Sequence, residues 1–263
     1  MNVFSPSAVT TRKTGAPPVP FETSVRVPGR GRLKLDWKAE AATKIEHLTI
    51  TGPEGDIEAL LEWDPEWQPR EVALVCHPHP LYGGTMHNKV VFRAAKAAAH
   101  LDVPALRFNF RGVGRSAGKY ADGIGERDDA RAALDYLSER FPNIPVTMMG
   151  FSFGSVVALA VGSEDERVNS LVGIGLPVDS TDFSFLRSVL KPKLLVQGTE
   201  DQFGSRQRIE KLFASLSEPK RLRFVEGADH FLTGRLHELQ TAIQEFLRGI
   251  LNPLQYSYSR RSS

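Results

Sequence analysis

Six short apolar runs recur along the chain: "EVALVC" (71–76), "VPALRFNF" (103–110), "IPVTMMG" (144–150), "VNSLVGIG" (168–175), "PKLLVQG" (192–198) and "KRLRFVEG" (220–227). Segments near 88–100, 126–140, 154–162, 204–215 and 233–250 carry apolar residues at helical spacing and alternate with them. Strands with no polar alternation are strands buried on both faces, so the pattern predicts an α/β fold: a doubly wound, mostly parallel sheet covered by helices. Ligands in such sheets bind beyond the carboxyl ends of the strands, and chemistry is sought in the residues that follow each run. Upstream, "KIEHLTI" and "DIEALLEW" alternate apolar and polar residues around "TGPEG", which predicts an antiparallel hairpin that begins the domain.

At 263 residues the chain has material for one good-sized core. Residues 1–43 mix Pro, Gly, Ser, Thr and basic residues without periodicity and are expected to form a flexible extension. The domain is expected over 44–250, and residues 251–263 are expected to be a tail. Residues 1–44 hold eight Lys or Arg against three acids, a net +5, so the remainder is at −3 within a total of +2. That balance argues against nucleic acid or a membrane surface as the main partner. Cys76 is the only cysteine, so no intrachain disulfide can form. Pro17, Pro18 and Pro20 interrupt any amphipathic targeting helix in the acid-free first 21 residues. A cytoplasmic location is the expectation.

The run "IPVTMMG" leads directly into Gly150-Phe151-Ser152-Phe153-Gly154. A G-x-S-x-G sequence between a strand and a helix is a turn that lifts a serine hydroxyl clear of the sheet, with small residues on either side so that strand and helix can approach. The N–H of Phe153, at the start of the helix, then points at developing negative charge. Serine is a poor nucleophile unless an imidazole takes its proton, and the imidazole needs a partner to fix its tautomer. Asp201 follows the run ending at 198, and His230 follows the run ending at 227, which gives the order serine, acid, histidine along successive strands. Glu200, Asp179 and Asp182 are alternative acids, and Asp201 could instead cap the helix expected near Gly204.

A second oxyanion donor is expected in "CHPHPLYGGTMHNK", after the strand ending at Cys76. Pro78 and Pro80 have no N–H, which leaves His79, Leu81 and Tyr82, with His79 preferred and Leu81 second. His77 and His79 could begin a metal site, but no cluster of Cys, Asp or Glu nearby completes one, and no metal or cofactor is expected. The loop "FNFRGVGRSAG" supplies Arg111, Gly112, Gly114 and Ser116. Its G-x-G element lacks the third glycine of a dinucleotide loop, where Ala117 stands, and its role is expected to be structural.

Taken together, "HPHPLYGGTMHNKVV", "FNFRGVGRSAG", "GFSFGS", "GTEDQF" and "GADHF" resemble the α/β-hydrolase superfamily, in particular its small bacterial dienelactone-hydrolase-like group, over about residues 44–250. The resemblance implies Ser152, Asp201 and His230 as a catalytic triad and esterase-type activity on a small acyl substrate. Dienelactone hydrolases carry cysteine at the nucleophile, so Ser152 argues against that substrate. Residues 175–193 leave room for only one short helix, so little or no lid and an open pocket are expected. Two other uses of the same frame are a non-catalytic interaction protein and an acyltransferase working through the same triad.

Overall fold

The computed structural model describes residues 43–252, and the extension and most of the tail expected on either side lie outside the described residues. The hairpin forms as β1 (Lys44–Gly52) and β2 (Gly55–Trp63), antiparallel and in continuous register from Lys44↔Trp63 to Gly52↔Gly55. There follow β3 (Val72–Cys76), α1 (Lys89–Ala99), β4 (Ala105–Phe108), α2 (Ile124–Arg140), β5 (Val146–Phe151) and α3 (Phe153–Glu164). The chain continues through β6 (Val168–Ile174), β7 (Lys193–Gly198), α4 (Arg206–Ser215), β8 (Lys220–Val225) and α5 (Leu236–Leu251). The eight strands form one sheet in the order β1-β2-β4-β3-β5-β6-β7-β8. β2 meets β4 antiparallel, and every pair from β4 to β8 is parallel.

The unbroken apolar runs follow from two cores. Val72, Leu74 and Cys76 of β3 join Val146 and Met148 of β5 on the face covered by α2, α3 and α4. Ala73 and Val75, with Met149 and Phe151, point to the other face, under α1 and α5. The central strands are therefore apolar at most positions on both faces. Among the described residues no helix is long and apolar enough to cross a membrane. Between β6 and β7 the only helical segment is one 3-10 turn, Ser184–Ser188, so the fold has no lid.

Three helix starts differ from the sequence expectation, each because a side chain or turn sets the boundary. α2 begins two residues early because the Glu126 carboxylate accepts the N–H groups of Ala121 and Gly123 and caps the first turn. α5 begins at Leu236 because Asp229 accepts the Thr233 N–H and hydroxyl, holding 229–233 as a turn. α4 starts at Arg206, beyond the turn closed by Asp201.

At the amino ends of the strands lies a buried polar group. Glu71 accepts from the Thr147 hydroxyl (2.6 Å) and the Asn169 amide (3.0 Å), and burial pushes its carboxyl from the ordinary 4.5 up to about 7. The raised value means the folded state holds a proton that the unfolded state has lost between those two pH values. This contribution to stability is complete below about 4.5 and is lost as pH rises through about 7. Glutamine can keep both contacts, since Asn169 Oδ1 has no partner among the described residues and a half-turn of its amide offers that oxygen to an N–H. Glu71→Gln is therefore expected to match wild type near pH 4 and exceed it at pH 8, by up to about 3 kcal/mol in urea unfolding. Equal pH dependence in the two proteins would contradict this.

Candidate active site

The sharp turn between β5 and α3 places Ser152 at φ 54°, ψ −122°, a strained conformation for a residue with a Cβ. Two glycines allow it. A Cβ on Gly150 would overlap the carbonyl of Gly154, and one on Gly154 would overlap the carbonyl oxygens of Cys76 and His77 at the end of β3. The spacing of the motif is thus fixed by the approach of β5 to α3 and of α3 to β3. Ser152 is left half-buried at the carboxyl edge of the sheet.

The three residues singled out by their order along the chain meet here. Ser152 Oγ lies 2.9 Å from His230 Nε2, and His230 Nδ1 lies 2.8 Å from Asp201 Oδ2. Asp201 and His230 are both buried, 7% and 3% exposed, so the pair is held out of bulk water while the hydroxyl stays reachable. Asp201 Oδ2 also accepts from the Gln197 amide (2.8 Å), and Oδ1 accepts the Phe203 N–H (2.8 Å). With donors on every other side, the carboxylate can only accept from His230, which puts the imidazole proton on Nδ1 and leaves Nε2 to accept the Ser152 proton. The capping role considered for Asp201 is partly present, as the turn to Phe203, but the N-cap of α4 is Ser205. The other acids are occupied elsewhere: Asp179 accepts from Ser205, Asp182 accepts from Ser184, and Glu200 is exposed.

The loop after β3 sorts its two histidines by depth. His77 is fully buried, donates from Nδ1 to the Pro78 carbonyl (2.6 Å) and accepts the Phe110 N–H at Nε2 (3.0 Å). Burial lowers it to about 4, so it stays neutral and ties this loop to the one after β4. With both nitrogens engaged, it cannot ligate a metal, and among the described residues no cluster of three His, Cys, Asp or Glu is placed to hold one. His79 Nδ1 accepts the Leu81 N–H (3.2 Å) and its Nε2 faces the Tyr120 hydroxyl (3.1 Å), while its ring packs on Tyr82, Tyr120 and Phe153. Burial lowers its basicity too, which keeps Nδ1 free to accept.

This hydrogen bonding separates the three oxyanion candidates. The Leu81 N–H is taken by His79 Nδ1 and the Tyr82 N–H by the His79 carbonyl. The His79 N–H has no acceptor among the described residues. Phe153, as the first residue of α3, likewise has no intrahelical acceptor for its N–H.

In the loop after β4, Arg111 makes a two-pronged ion pair with Asp129, and Ser116 donates to the Asn109 carbonyl and accepts the Glu58 N–H. Gly112 and Gly114 adopt positive φ, 73° and 58°. The loop's polar groups are thus spent on its own shape, on β2 and on α2. Gln197 was not singled out by sequence. Its signal is a polar residue at the carboxyl end of the apolar run that precedes the acid, and its side chain joins Leu176, Asp201 and Gly204.

Known proteins share this fold. Residues 74–250 match the family described as alpha/beta hydrolase domain. A protein of Rickettsia prowazekii (strain Madrid E) is 38% identical over 210 residues, covering 76% of this chain and 87% of its own length. The structure of an alpha-beta serine hydrolase homologue from Coxiella burnetii is 35% identical with a TM-score of 0.72, over 76% of this chain and 96% of that one. A serine hydrolase without lid from Xanthomonas campestris is 34% identical, also with a TM-score of 0.72, over 78% of this chain and 94% of that one.

Proposed function

Since the chain belongs to the alpha/beta hydrolase family, we propose that it is a serine hydrolase of esterase type that works through an acyl-enzyme on Ser152. The observation that carries the reading is the continuous hydrogen-bond chain Ser152–His230–Asp201, with a buried acid, a fixed tautomer and a reachable hydroxyl. In the first half-reaction the Ser152 oxygen bonds to the acyl carbon as His230 Nε2 takes its proton. The carbonyl electron pair moves to oxygen, where the Phe153 and His79 N–H groups receive the charge. Collapse breaks the bond to the leaving oxygen, which takes the proton from Nε2 and departs as the alcohol. Water then repeats the sequence on the acyl-enzyme, releasing the carboxylic acid and restoring Ser152.

The lone, fully buried Cys76 suits a reducing cellular compartment, and we propose the cytoplasm on that basis. With no lid over Ser152, small or extended esters are the expected substrates. A series of p-nitrophenyl esters from acetyl to decanoyl tests the reading. Turnover to the free carboxylic acid is expected for at least part of the series. A folded protein that hydrolyses none of the series would overturn it.

A further inference from the structure

In the reaction above, the proton that His230 takes from Ser152 is returned to the leaving oxygen. That oxygen must therefore come within hydrogen-bond reach of Nε2, and the alcohol portion of the ester must pass over the His230 side of the site. What surrounds the His230 ring thus meets the leaving group.

The surroundings are aromatic. Phe151, fully buried at the end of β5, lies beneath the imidazole with ring centroids 5.0 Å apart. Phe203 meets it edge to face at 4.6 Å and Phe231 at 5.3 Å. Phe231 also contacts Phe151, at 5.9 Å. Phe203 follows Asp201 by two residues and Phe231 directly follows His230, so both are carried by the loops that position the triad. The buried ring supports the histidine. The other two are 47% and 50% exposed, so each spends part of its surface on His230 and leaves about half in water. Large apolar side chains left half in water beside one reacting imidazole mark a surface that an apolar ligand covers. The charge nearby has the same bearing. Asp229, next to His230 in sequence, has its carboxyl lowered below the ordinary range by the Thr233 N–H and hydroxyl, so the loop that carries Phe231 bears a negative charge.

We propose that Phe203 and Phe231 form the leaving-group subsite and that the enzyme selects esters of neutral, apolar and above all aromatic alcohols. The proposal rests on the Ser152–His230 reading given above. The chemistry is the same acyl transfer: the acyl carbon–oxygen bond breaks, the oxygen takes the Nε2 proton, and the neutral alcohol departs across the two rings, with no further reactant.

The test compares ethyl butyrate with benzyl butyrate, whose alcohols are close in acidity, as kcat/KM on the full chain and on Phe203→Ala and Phe231→Ala. Wild type is expected to favour the benzyl ester by about tenfold or more. Each alanine variant is expected to lower the benzyl-to-ethyl ratio about three- to tenfold, the range expected for loss of one aromatic pair. The butyrate-to-acetate ratio at fixed ethanol should not move. Phe203→Leu and Phe231→Leu keep apolar packing on His230 and serve if the alanine variants do not fold, and the benzyl preference should fall in them too. A wild type without benzyl preference, or variants that slow both esters equally, would overturn the subsite. The second outcome would mean that the rings only hold His230 in place. Failure of wild type to hydrolyse either ester would instead count against the Ser152 mechanism itself.

Discussion

Replacing Ser152 by alanine is expected to lower kcat for ester hydrolysis by a factor of about 10^5 to 10^6, with little change in stability. The loss is large because no other hydroxyl is bonded to His230: Nε2 meets Ser152 Oγ, and Nδ1 is committed to Asp201. Stability should stay within about 0.5 kcal/mol of wild type. The side chain is half-buried, so the freed Nε2 can bond to water, and alanine meets the same backbone strain as serine. Steady-state hydrolysis and urea unfolding of the same preparation measure both quantities. A folded variant that retains more than about one hundredth of wild-type kcat would be inconsistent with nucleophilic attack by this oxygen.

Asp201→Asn is expected to cost about 10^4 in kcat. Gln197 Nε2 and His230 Nδ1 both approach Oδ2, while the Phe203 N–H approaches Oδ1. An asparagine has one oxygen for these two positions. If its NH2 faces His230, the imidazole must accept at Nδ1 and carry its proton on Nε2, where it can no longer take the Ser152 proton. If the amide turns over, its NH2 confronts the Phe203 N–H, and the turn that holds the acid is strained. Both orientations leave donor against donor, so a stability loss of about 1–3 kcal/mol should accompany the kinetic loss. Glu200 is exposed and has no contact with His230 that would rescue the variant. Activity within tenfold of wild type would show that another group orients the imidazole.

The fold was legible because its main signal is local. A strand packed between two helix layers shows little polar alternation: β3 is apolar throughout, and β5 and β7 are apolar at most positions. The elbow was legible for a similar reason: Gly150 and Gly154 are required by backbone contacts within a five-residue turn and with the end of β3. The order of Ser152, Asp201 and His230 followed from the strands, which bring chain-distant loops to one edge of the sheet.

What stayed hidden depends on contacts between distant residues. Nothing local to "HPHP" says that His77 accepts the Phe110 N–H, 33 residues on, and is a structural tie, whereas His79 lies against the nucleophile turn. The sequence already favours the His79 N–H, but the reason that those of Leu81 and Tyr82 are taken lies in the short 3-10 turn Pro80–Tyr82, which uses both. Strand β4 ends at Phe108 although its apolar run continues to Phe110. Asn109 gives its N–H to the Glu58 carbonyl and its side chain to Met86 and Glu58, and Phe110 turns toward His77. Nothing in the sequence pairs Phe203 with Phe231, which end the stretches around Asp201 and His230; their shared contact with His230 makes them a pair.

The central claim is that Ser152 is a nucleophile activated by His230, and covalent trapping tests it most directly. A fluorophosphonate loses fluoride as a serine oxygen bonds to phosphorus, and that step needs the same proton transfer to Nε2 as ester cleavage. Intact-mass measurement after incubation with the probe is expected to show one adduct per chain, with peptide mapping placing it on Ser152 and no adduct on folded Ser152→Ala. A folded wild type that does not react, an adduct on another residue, or equal labelling of the variant would contradict the account.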